Sequence, residues 1–208
     1  MIKMAEDVSN YPSDFSNAAF DIVAIAASAG GLNALAKVLS TLPTEFTAAI
    51  AIVQHLGPKY RSLMAEILAR RTHLTVKQAQ EGDRLTPGTA YIAPPNRHLL
   101  VNRDGTLSLS QSELVHFLRP SANLLFESVA VIYKDRAIAV VLTGTGSDGA
   151  IGVEAIKKMG GTVIAQSVET AEFSGMPSAA IQTGNVDFIL PLNEISRVLV
   201  TLVMGESY

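Results

Sequence analysis

The sequence predicts a doubly wound α/β fold with a mainly parallel sheet and an inserted antiparallel hairpin. Short, continuous apolar runs alternate along the chain with segments of helical periodicity. Such runs are typical of strands that are buried on both faces of a parallel sheet. In the middle of the chain, apolar and polar residues alternate around Asp104 and Gly105, a dipeptide typical of hairpin turns. Strands alternating with helices therefore indicate an open α/β sheet with a hairpin added to it.

The β-α unit recurs along the chain. The first strand, FDIVAIAAS, is followed after Gly30 and Gly31 by the amphipathic helix LNALAKVLSTL, which Pro43 ends. A second strand, AAIAIVQH, precedes the helix SLMAEILARR, for which Ser62 is the predicted N-cap. A third strand, AIAVVLTG, leads through the glycine-rich TGTGSDG into the helix AIGVEAIKKMGG. The segments GTVIAQ and NVDFILP predict two further short strands.

The middle of the chain departs from this pattern. TAYIAPP and HLLVNRDGTLSLSQ alternate apolar with polar residues, so we expect both in an antiparallel region inserted in, or appended to, the main sheet. The segment RPSANLLFESVAVIY then returns to helical periodicity, with Ser121 as the predicted N-cap.

Composition indicates one compact domain. The chain has 208 residues, of which 48% are hydrophobic and 17% charged, which argues against general disorder. A net charge of −3 without a long basic run gives no indication of a nucleic-acid ligand. The absence of cysteine excludes disulfides and a cysteine nucleophile and fits a cytoplasmic protein. We expect residues 1–19 to be a flexible leader or linker remnant and residues 20–208 to form the functional domain, with no signal peptide or membrane-spanning segment.

Candidate catalytic residues follow three of the predicted strands. Ligands of open α/β sheets bind outside the carboxyl ends of the strands, and Ser28, His55 and Asp148 each lie just beyond such an end. A serine, a histidine and an aspartate are the groups that nucleophilic acyl transfer requires. In this hypothesis Ser28 attacks the substrate, His55 acts as base, and Asp148 stabilises the imidazolium form of His55.

The other three histidines are poorer candidates for the base. His73 lies before a strand, His98 belongs to the hairpin region, and His116 precedes a helix. We expect structural roles for all three. Only His55 is delivered by a strand to the predicted crevice.

Each member of this set has a simpler structural interpretation. Ser28 at a helix N-terminus is, taken alone, more often a cap than a nucleophile. Asp148 could be a turn or N-cap residue for the helix that begins at Ala150. The turn ASAGG also differs from the hydrolase elbow G-x-S-x-G, because Ala26 replaces the first glycine. Gly30 and Gly31 would leave room for a substrate carbonyl, although a glycine-rich turn before a helix can equally bind an anion.

At these residues the chain resembles the catalytic domain of the chemotaxis protein-glutamate methylesterases, the CheB family. The resemblance runs from about Phe20 to near the C-terminus. The matching segments are AASAGG at 26–31, QH at 54–55, AYIAPP at 90–95, RPS at 119–121, LTGTGSDG at 142–149 and GMP at 175–177.

The resemblance implies that Ser28 is the nucleophile and that His55 and Asp148 complete the triad. The implied reaction is hydrolysis of glutamate γ-methyl esters on chemoreceptor helices, which releases methanol, with deamidation of receptor glutamines as a second activity. No cofactor or metal ion is implied. The implied partners are methylated chemoreceptor helices in the cytoplasm, and neither a nucleic acid nor insertion into a membrane is expected. An oligomeric state is not implied.

Three positions depart from the family pattern. Ala26 and Ala29 replace the glycine and threonine beside the nucleophile, and Thr145 replaces a methionine whose backbone N–H is thought to help form the oxyanion hole. A backbone donor survives the last change. The family's N-terminal receiver domain has no counterpart in residues 1–19.

Two alternatives to the methylesterase remain. One is a noncatalytic signalling module that binds receptors without turnover, and the other is a small-ester hydrolase or anion-binding domain outside chemotaxis. Basic residues after His55 could also meet acidic receptor helices, although a solvated helix face explains them as well; they are Lys59, Arg61, Arg70 and Arg71.

Overall fold

The main sheet is parallel and lies between two layers of helices, as the sequence predicts. The computed structural model describes residues 20–55 and 62–205. Its strands are β1 (Ile22–Ala27), β2 (Ala49–Gln54), β3 (Thr75–Gln78), β4 (Thr89–Ile92), β5 (His98–Val101), β6 (Leu107–Ser110), β7 (Ala137–Val141), β8 (Thr162–Gln166) and β9 (Phe188–Leu190). Its α-helices are α1 (Gly31–Ser40), α2 (Met64–Ala69), α3 (Ala122–Tyr133), α4 (Ala150–Lys158), α5 (Gly175–Gln182) and α6 (Leu192–Met204).

Within the described residues, seven strands form one sheet in the order β3-β4-β2-β1-β7-β8-β9. All pairs in this sheet are parallel. The three central strands β2, β1 and β7 are buried along their whole length. Their continuous apolar sequences follow from this position, because a central parallel strand packs against a helix layer on each face.

Alternate residues of β1 point to the two helix layers. Ile22, Ala24 and Ala26 pack with α3, α4 and α5, together with the β5-β6 hairpin. Val23, Ile25 and Ala27 face α1, α2 and α6 on the other side. The alternation places the residue after Ala27 on the same side as α3 and α4, and that residue is Ser28.

The predicted hairpin is present but is shorter than expected. TAYI forms β4, which pairs in parallel with β2 and β3, so its assignment to the antiparallel region was wrong. β5 and β6 alone form the antiparallel pair, in a separate two-stranded sheet around the predicted turn at Asp104 and Gly105. A four-residue strand is too short for alternation to distinguish a strand with one buried face from one with two.

Of the two predicted N-caps, Ser62 is corrected and the position of Ser121 is confirmed. The N-cap position of α2 is Leu63, although the Ser62 hydroxyl accepts a hydrogen bond from Met64 N at 3.2 Å. Ser121 does occupy the N-cap position of α3, but its hydroxyl caps no backbone group of that helix. It donates instead to Asp148, as described below. The helices α5 and α6 were not assigned from the sequence.

Candidate active site

Ser28 and His55 lie side by side at the carboxyl edge of the sheet. β1 and β2 pair in register as far as Ala27 and Gln54, so the next residues of both strands are Ser28 and His55. His55 N donates to the Ala27 carbonyl at 3.1 Å, and Ser28 N donates to the Thr143 carbonyl beyond β7 at 3.0 Å. The nucleophile candidate is therefore held between the ends of two neighbouring strands.

The ring of His55 contacts the carboxylate of Asp148. The Nε2 atom of His55 lies 2.8 Å from Oδ2 of Asp148, and the two side chains are only 11% and 3% exposed. Because Asp148 is acceptor-only when ionised, Nε2 carries the proton of a neutral His55 and Nδ1 is left as an acceptor. The structure thus brings together two of the three predicted residues, from the end of β2 and the start of α4.

The Asp148 carboxylate also accepts hydrogen bonds from the beginning of α3. Its Oδ2 accepts from Ala122 N at 2.6 Å, and its Oδ1 accepts from Ser121 Oγ at 2.9 Å and from Asn123 N at 3.2 Å. Burial acts to raise the pKa of Asp148, but the hydrogen bonds from His55, Ala122 and Ser121 outweigh it and lower the pKa. The group is therefore a carboxylate at neutral pH. The expected alternative for Asp148, a cap on the helix at Ala150, is replaced by a cap on α3, since the N-cap position of α4 is Gly149.

The buried His98 holds Ser121, which donates a hydrogen bond to the Asp148 carboxylate. Nδ1 of His98 accepts a hydrogen bond from Ser121 N at 3.1 Å, and its Nε2 donates to the Glu113 carbonyl at 3.1 Å. His98 is fully buried, which agrees with the structural role expected for it. It connects the hairpin strand β5 to the start of α3, where Asp148 is bound.

Gln54 ties the backbone of Ser28 to that of His55. Its Nε2 donates to the Ser28 carbonyl at 2.7 Å and to the His55 carbonyl at 3.0 Å. The side chain is buried, and its Oε1 has no hydrogen-bond partner. A donor shared between these two carbonyls limits how far the two residues can move apart. Sequence reasoning treated Gln54 only as part of a motif.

The glycines after Ser28 leave space for protein side chains. A Cβ atom on Gly31 would clash with Oε1 of Gln54, and a Cβ atom on Gly30 would lie 2.8 Å from Oε2 of Glu172. Packing against these side chains is therefore one reason for both glycines, and the room they are expected to leave for a substrate carbonyl stays a prediction. Gly30 also has a φ of 75°, a left-handed conformation that favours glycine.

Backbone N–H groups in the turn after Ser28 and in the TGTGSDG loop lack an acceptor among the described residues. Among the described residues, the N–H groups of Ala29, Gly30 and Thr145 form no hydrogen bond, whereas Gly31 N donates to the Ser28 carbonyl at 2.9 Å. Free N–H groups at a turn before a helix favour a developing negative charge. Thr145 is exposed. The Ser28 hydroxyl itself has no hydrogen bond within the described part of the chain, including to His55.

Met176 packs against the loop that precedes Asp148, a contact that sequence reasoning did not identify. A Cβ atom on Gly144 would clash with Sδ of Met176 and would lie 2.8 Å from Cβ of Ser28. Met176 N donates to the Gly144 carbonyl at 2.9 Å. Gly144 of the TGTGSDG loop is therefore packed between Met176, at the beginning of α5, and Ser28.

The remaining candidates are exposed or lie outside the described residues. His73 and His116 are exposed in loops. Arg70 and Arg71 are exposed at the end of α2, whereas Lys59 and Arg61 lie outside the described residues, as does the proposed leader 1–19. In the described ranges no group of histidine, aspartate or glutamate side chains could hold a metal ion. No helix there is long and apolar enough to cross a membrane.

Comparisons with known proteins agree on one family. The family model described as CheB methylesterase matches residues 23–199. A putative protein-glutamate methylesterase/protein-glutamine glutaminase of Leptospira interrogans is 42% identical over 183 residues, which cover 88% of this chain and 95% of that protein. Protein-glutamate methylesterase/protein-glutamine glutaminase 2 of Methanosarcina acetivorans is 40% identical over 191 residues, and there the match covers 53% of the relative.

A solved structure shares both fold and sequence. The crystal structure of the Thermotoga maritima CheB methylesterase catalytic domain superposes with a TM-score of 0.85 and 38% identity. The match covers 88% of this chain and 99% of that domain. Some curated relatives are thus about twice as long as the matched region, while the Leptospira relative and the Thermotoga domain match it almost from end to end.

Proposed function

The chain belongs to the CheB methylesterase family, and on that premise we propose that Ser28, His55 and Asp148 carry out its protein-glutamate methylesterase reaction. The proposed substrates are glutamate γ-methyl esters on the cytoplasmic helices of chemoreceptors, and the domain that acts on them comprises residues 20–208. The observation that supports this most strongly is the contact between His55 and the buried Asp148 carboxylate. His55 follows the strand next to the one that ends before Ser28.

The reaction begins with attack of the Ser28 hydroxyl oxygen on the γ-carbonyl carbon of the ester. Nδ1 of His55, which is left unprotonated by the contact of Nε2 with Asp148, takes the hydroxyl proton. The ionised Asp148 stabilises the resulting imidazolium and holds its orientation. The Ser28 hydroxyl forms no hydrogen bond with the ring in this structure, so the two side chains must approach each other before the proton is transferred.

The tetrahedral intermediate places its negative charge on the former carbonyl oxygen. We assign the backbone N–H groups of Ala29, Gly30 and Thr145 as the donors available to it, because they form no hydrogen bond within the described residues. His55 then returns the proton to the departing methoxide, so methanol leaves and an acyl-Ser28 ester remains. Water, deprotonated by His55, hydrolyses this ester to glutamate. With a glutamine side chain the same steps release ammonia, which accounts for a glutaminase activity.

The test is methanol release from membranes that carry methylated chemoreceptors. Ser28→Ala is expected to reduce release to the background rate while leaving the melting temperature unchanged, since the Ser28 hydroxyl forms no hydrogen bond within the described residues. Ser40→Ala, at an exposed serine of α1, is the matched control and should retain the wild-type rate. Equal rates for wild type and Ser28→Ala would refute the nucleophile assignment.

The same assay separates the two alternatives. A noncatalytic receptor-binding module would bind methylated receptors but release no methanol in either form. A small-ester hydrolase outside chemotaxis would hydrolyse p-nitrophenyl acetate with a Ser28-dependent rate but leave receptor esters intact.

A further inference from the structure

A short turn beside the active site carries a solvent-exposed phenylalanine. Val115 and Leu118 exchange two backbone hydrogen bonds, of 3.1 and 2.9 Å, around His116 and Phe117. Both central residues have positive φ, 49° and 66°. Two-residue turns of this kind normally contain asparagine or glycine, because a positive φ is unfavourable for bulky side chains. We call residues 114–118 the Phe117 turn.

Two large apolar side chains of this turn are exposed to solvent. Phe117 is 93% exposed and Leu114 is 51% exposed. An aromatic residue here therefore combines an unfavourable backbone conformation with an unburied ring. Backbone strain of this type is found preferentially at functional sites.

The Phe117 turn is firmly anchored at its base. The Arg119 guanidinium donates from Nε and Nη2 to Oδ1 of Asn96, at 2.9 and 2.8 Å. Its Nη1 donates to the carbonyl of Ser112 at 2.7 Å and to that of Gln111 at 3.0 Å. These contacts hold the segments before and after the turn together. Phe117 is thus presented on a fixed support.

The Phe117 turn and the catalytic histidine share one cleft. A cleft of about 310 Å³ is lined by His55 together with Asn96, Leu114, Phe117, Leu118, Arg119 and Pro120. A group that reaches His55 by way of this cleft passes the Phe117 turn. An ester attached to a large molecule would therefore bring the rest of that molecule over Phe117, whereas a small ester would leave Phe117 exposed.

We propose that Phe117 and Leu114 form a docking surface for the helix of a substrate protein, and that they contact apolar side chains next to the esterified glutamate. The proposal rests on the function proposed above and names the feature that favours a protein over a small ester. A helix that projects a glutamyl ester into the cleft places residues three or four positions away on the same face. Apolar residues there would cover Phe117 and Leu114 and remove them from water.

The decisive variant is Phe117→Asn, because asparagine suits a positive φ better than phenylalanine does. The change removes the apolar contact and is expected to leave the melting temperature unchanged or raised. Affinity is measured for a soluble chemoreceptor helical fragment that carries γ-methyl glutamate, with Ser28→Ala present to prevent turnover. Loss of a buried phenylalanine contact predicts a dissociation constant raised by about ten- to a hundredfold relative to Ser28→Ala alone. Val131→Ser, at a 58% exposed residue of α3, is the control and should not change the affinity.

Turnover separates docking from catalysis. With Ser28 intact, Phe117→Asn should lose a similar factor in kcat/KM on the methylated receptor fragment and retain wild-type hydrolysis of p-nitrophenyl acetate. Unchanged affinity and unchanged receptor kcat/KM would overturn the proposal, and so would an equal loss on both substrates, because that would make Phe117 part of the catalytic machinery. Retained turnover in Ser28→Ala would contradict the proposed function alone, since the affinity comparison does not depend on turnover.

Discussion

Asp148 and Asn123 cap each other's helices. The Asp148 carboxylate, just before α4, accepts hydrogen bonds from Ala122 N and Asn123 N at the start of α3. In return, Oδ1 of Asn123 accepts from Gly149 N and Gly152 N at the start of α4, both at 2.9 Å. Asp148, the proposed third member of the triad, is therefore also a structural junction between two packed helices, and its position depends on Asn123.

Asn123→Ala is expected to lower both stability and turnover. It leaves the buried N–H groups of Gly149 and Gly152 without an acceptor, which costs about 1–3 kcal/mol for each unsatisfied group. Because α4 then moves relative to α3, Asp148 shifts from His55 and kcat falls. Urea denaturation and methanol release measure the two effects. Asn33→Ala, at an exposed position of α1, should change neither, and a stable Asn123→Ala protein with full kcat would contradict the coupling.

Gln54→Glu is expected to make turnover sensitive to alkaline pH. The amide Nε2 of Gln54 donates to the carbonyls of Ser28 and His55. A glutamate can replace only one of these hydrogen bonds, and only while it is protonated, so burial and the two carbonyls favour its neutral form. We therefore predict a lower kcat with little change in KM, and a further loss as pH rises and the carboxyl ionises.

The control for this substitution is Gln78→Glu, on the edge strand β3, where the side chain is exposed. It introduces the same charge without facing the two carbonyls. A pH–rate profile of Gln54→Glu that parallels those of Gln78→Glu and the wild type would show that Gln54 does not position Ser28 and His55.

The sheet and the edge that carries the site could be predicted because their signals are local. Ser28 and His55 each follow an apolar run, and parallel strands deliver such residues to one edge of a sheet. Capping between distant segments has no comparable signal. Asp148 and Ala122 lie 26 positions apart, so the sequence predicts Ser121 at the N-cap position of α3 but not Asp148 as the acceptor of its first N–H groups.

The roles of polar residues inside the core could not be predicted from the sequence either. Gln54 ends an apolar strand, and its role depends on the register that sets β1 beside β2. The tight packing of Gly31 likewise depends on where the Gln54 side chain lies. Neither fact can be derived from periodicity, which reports the face a residue occupies and not the partner it meets there.

His98 is expected to make the protein less stable in acid. Burial lowers the pKa of His98 from 6.5, with a further lowering by Arg119, and both outweigh the opposite effects of the Glu113 carbonyl and Asp148. The unfolded chain therefore binds more protons than the folded one below about pH 6.5. The free energy of unfolding should fall as pH drops from 6.5 towards the lowered value. Protonated Nδ1 could no longer accept the hydrogen bond from Ser121 N.

The variant His98→Asn removes this proton linkage. Urea unfolding at a series of pH values between 7 and 5 should give a flatter dependence than in the wild type, even though the variant is less stable overall. His73→Asn, at an exposed histidine, should keep the wild-type slope. A slope for His98→Asn equal to that of the wild type would mean that His98 titrates alike in the folded and unfolded states.

Gly31→Ala tests the packing that holds Gln54 in place. Its new Cβ would clash with Oε1 of Gln54 and lie 2.9 Å from Cβ of Ala27, and overpacking of this kind costs about 1–3 kcal/mol. In a Gln54→Ala background the clash with the amide is gone, so the cost should shrink while kcat stays low. Gly152→Ala, whose Cβ would lie 2.6 Å from Cβ of Phe126, is the matched control, and its cost should be the same in both backgrounds. Urea denaturation of the single and double variants measures the coupling, and an undiminished cost of Gly31→Ala beside Gln54→Ala would exclude the amide as its cause.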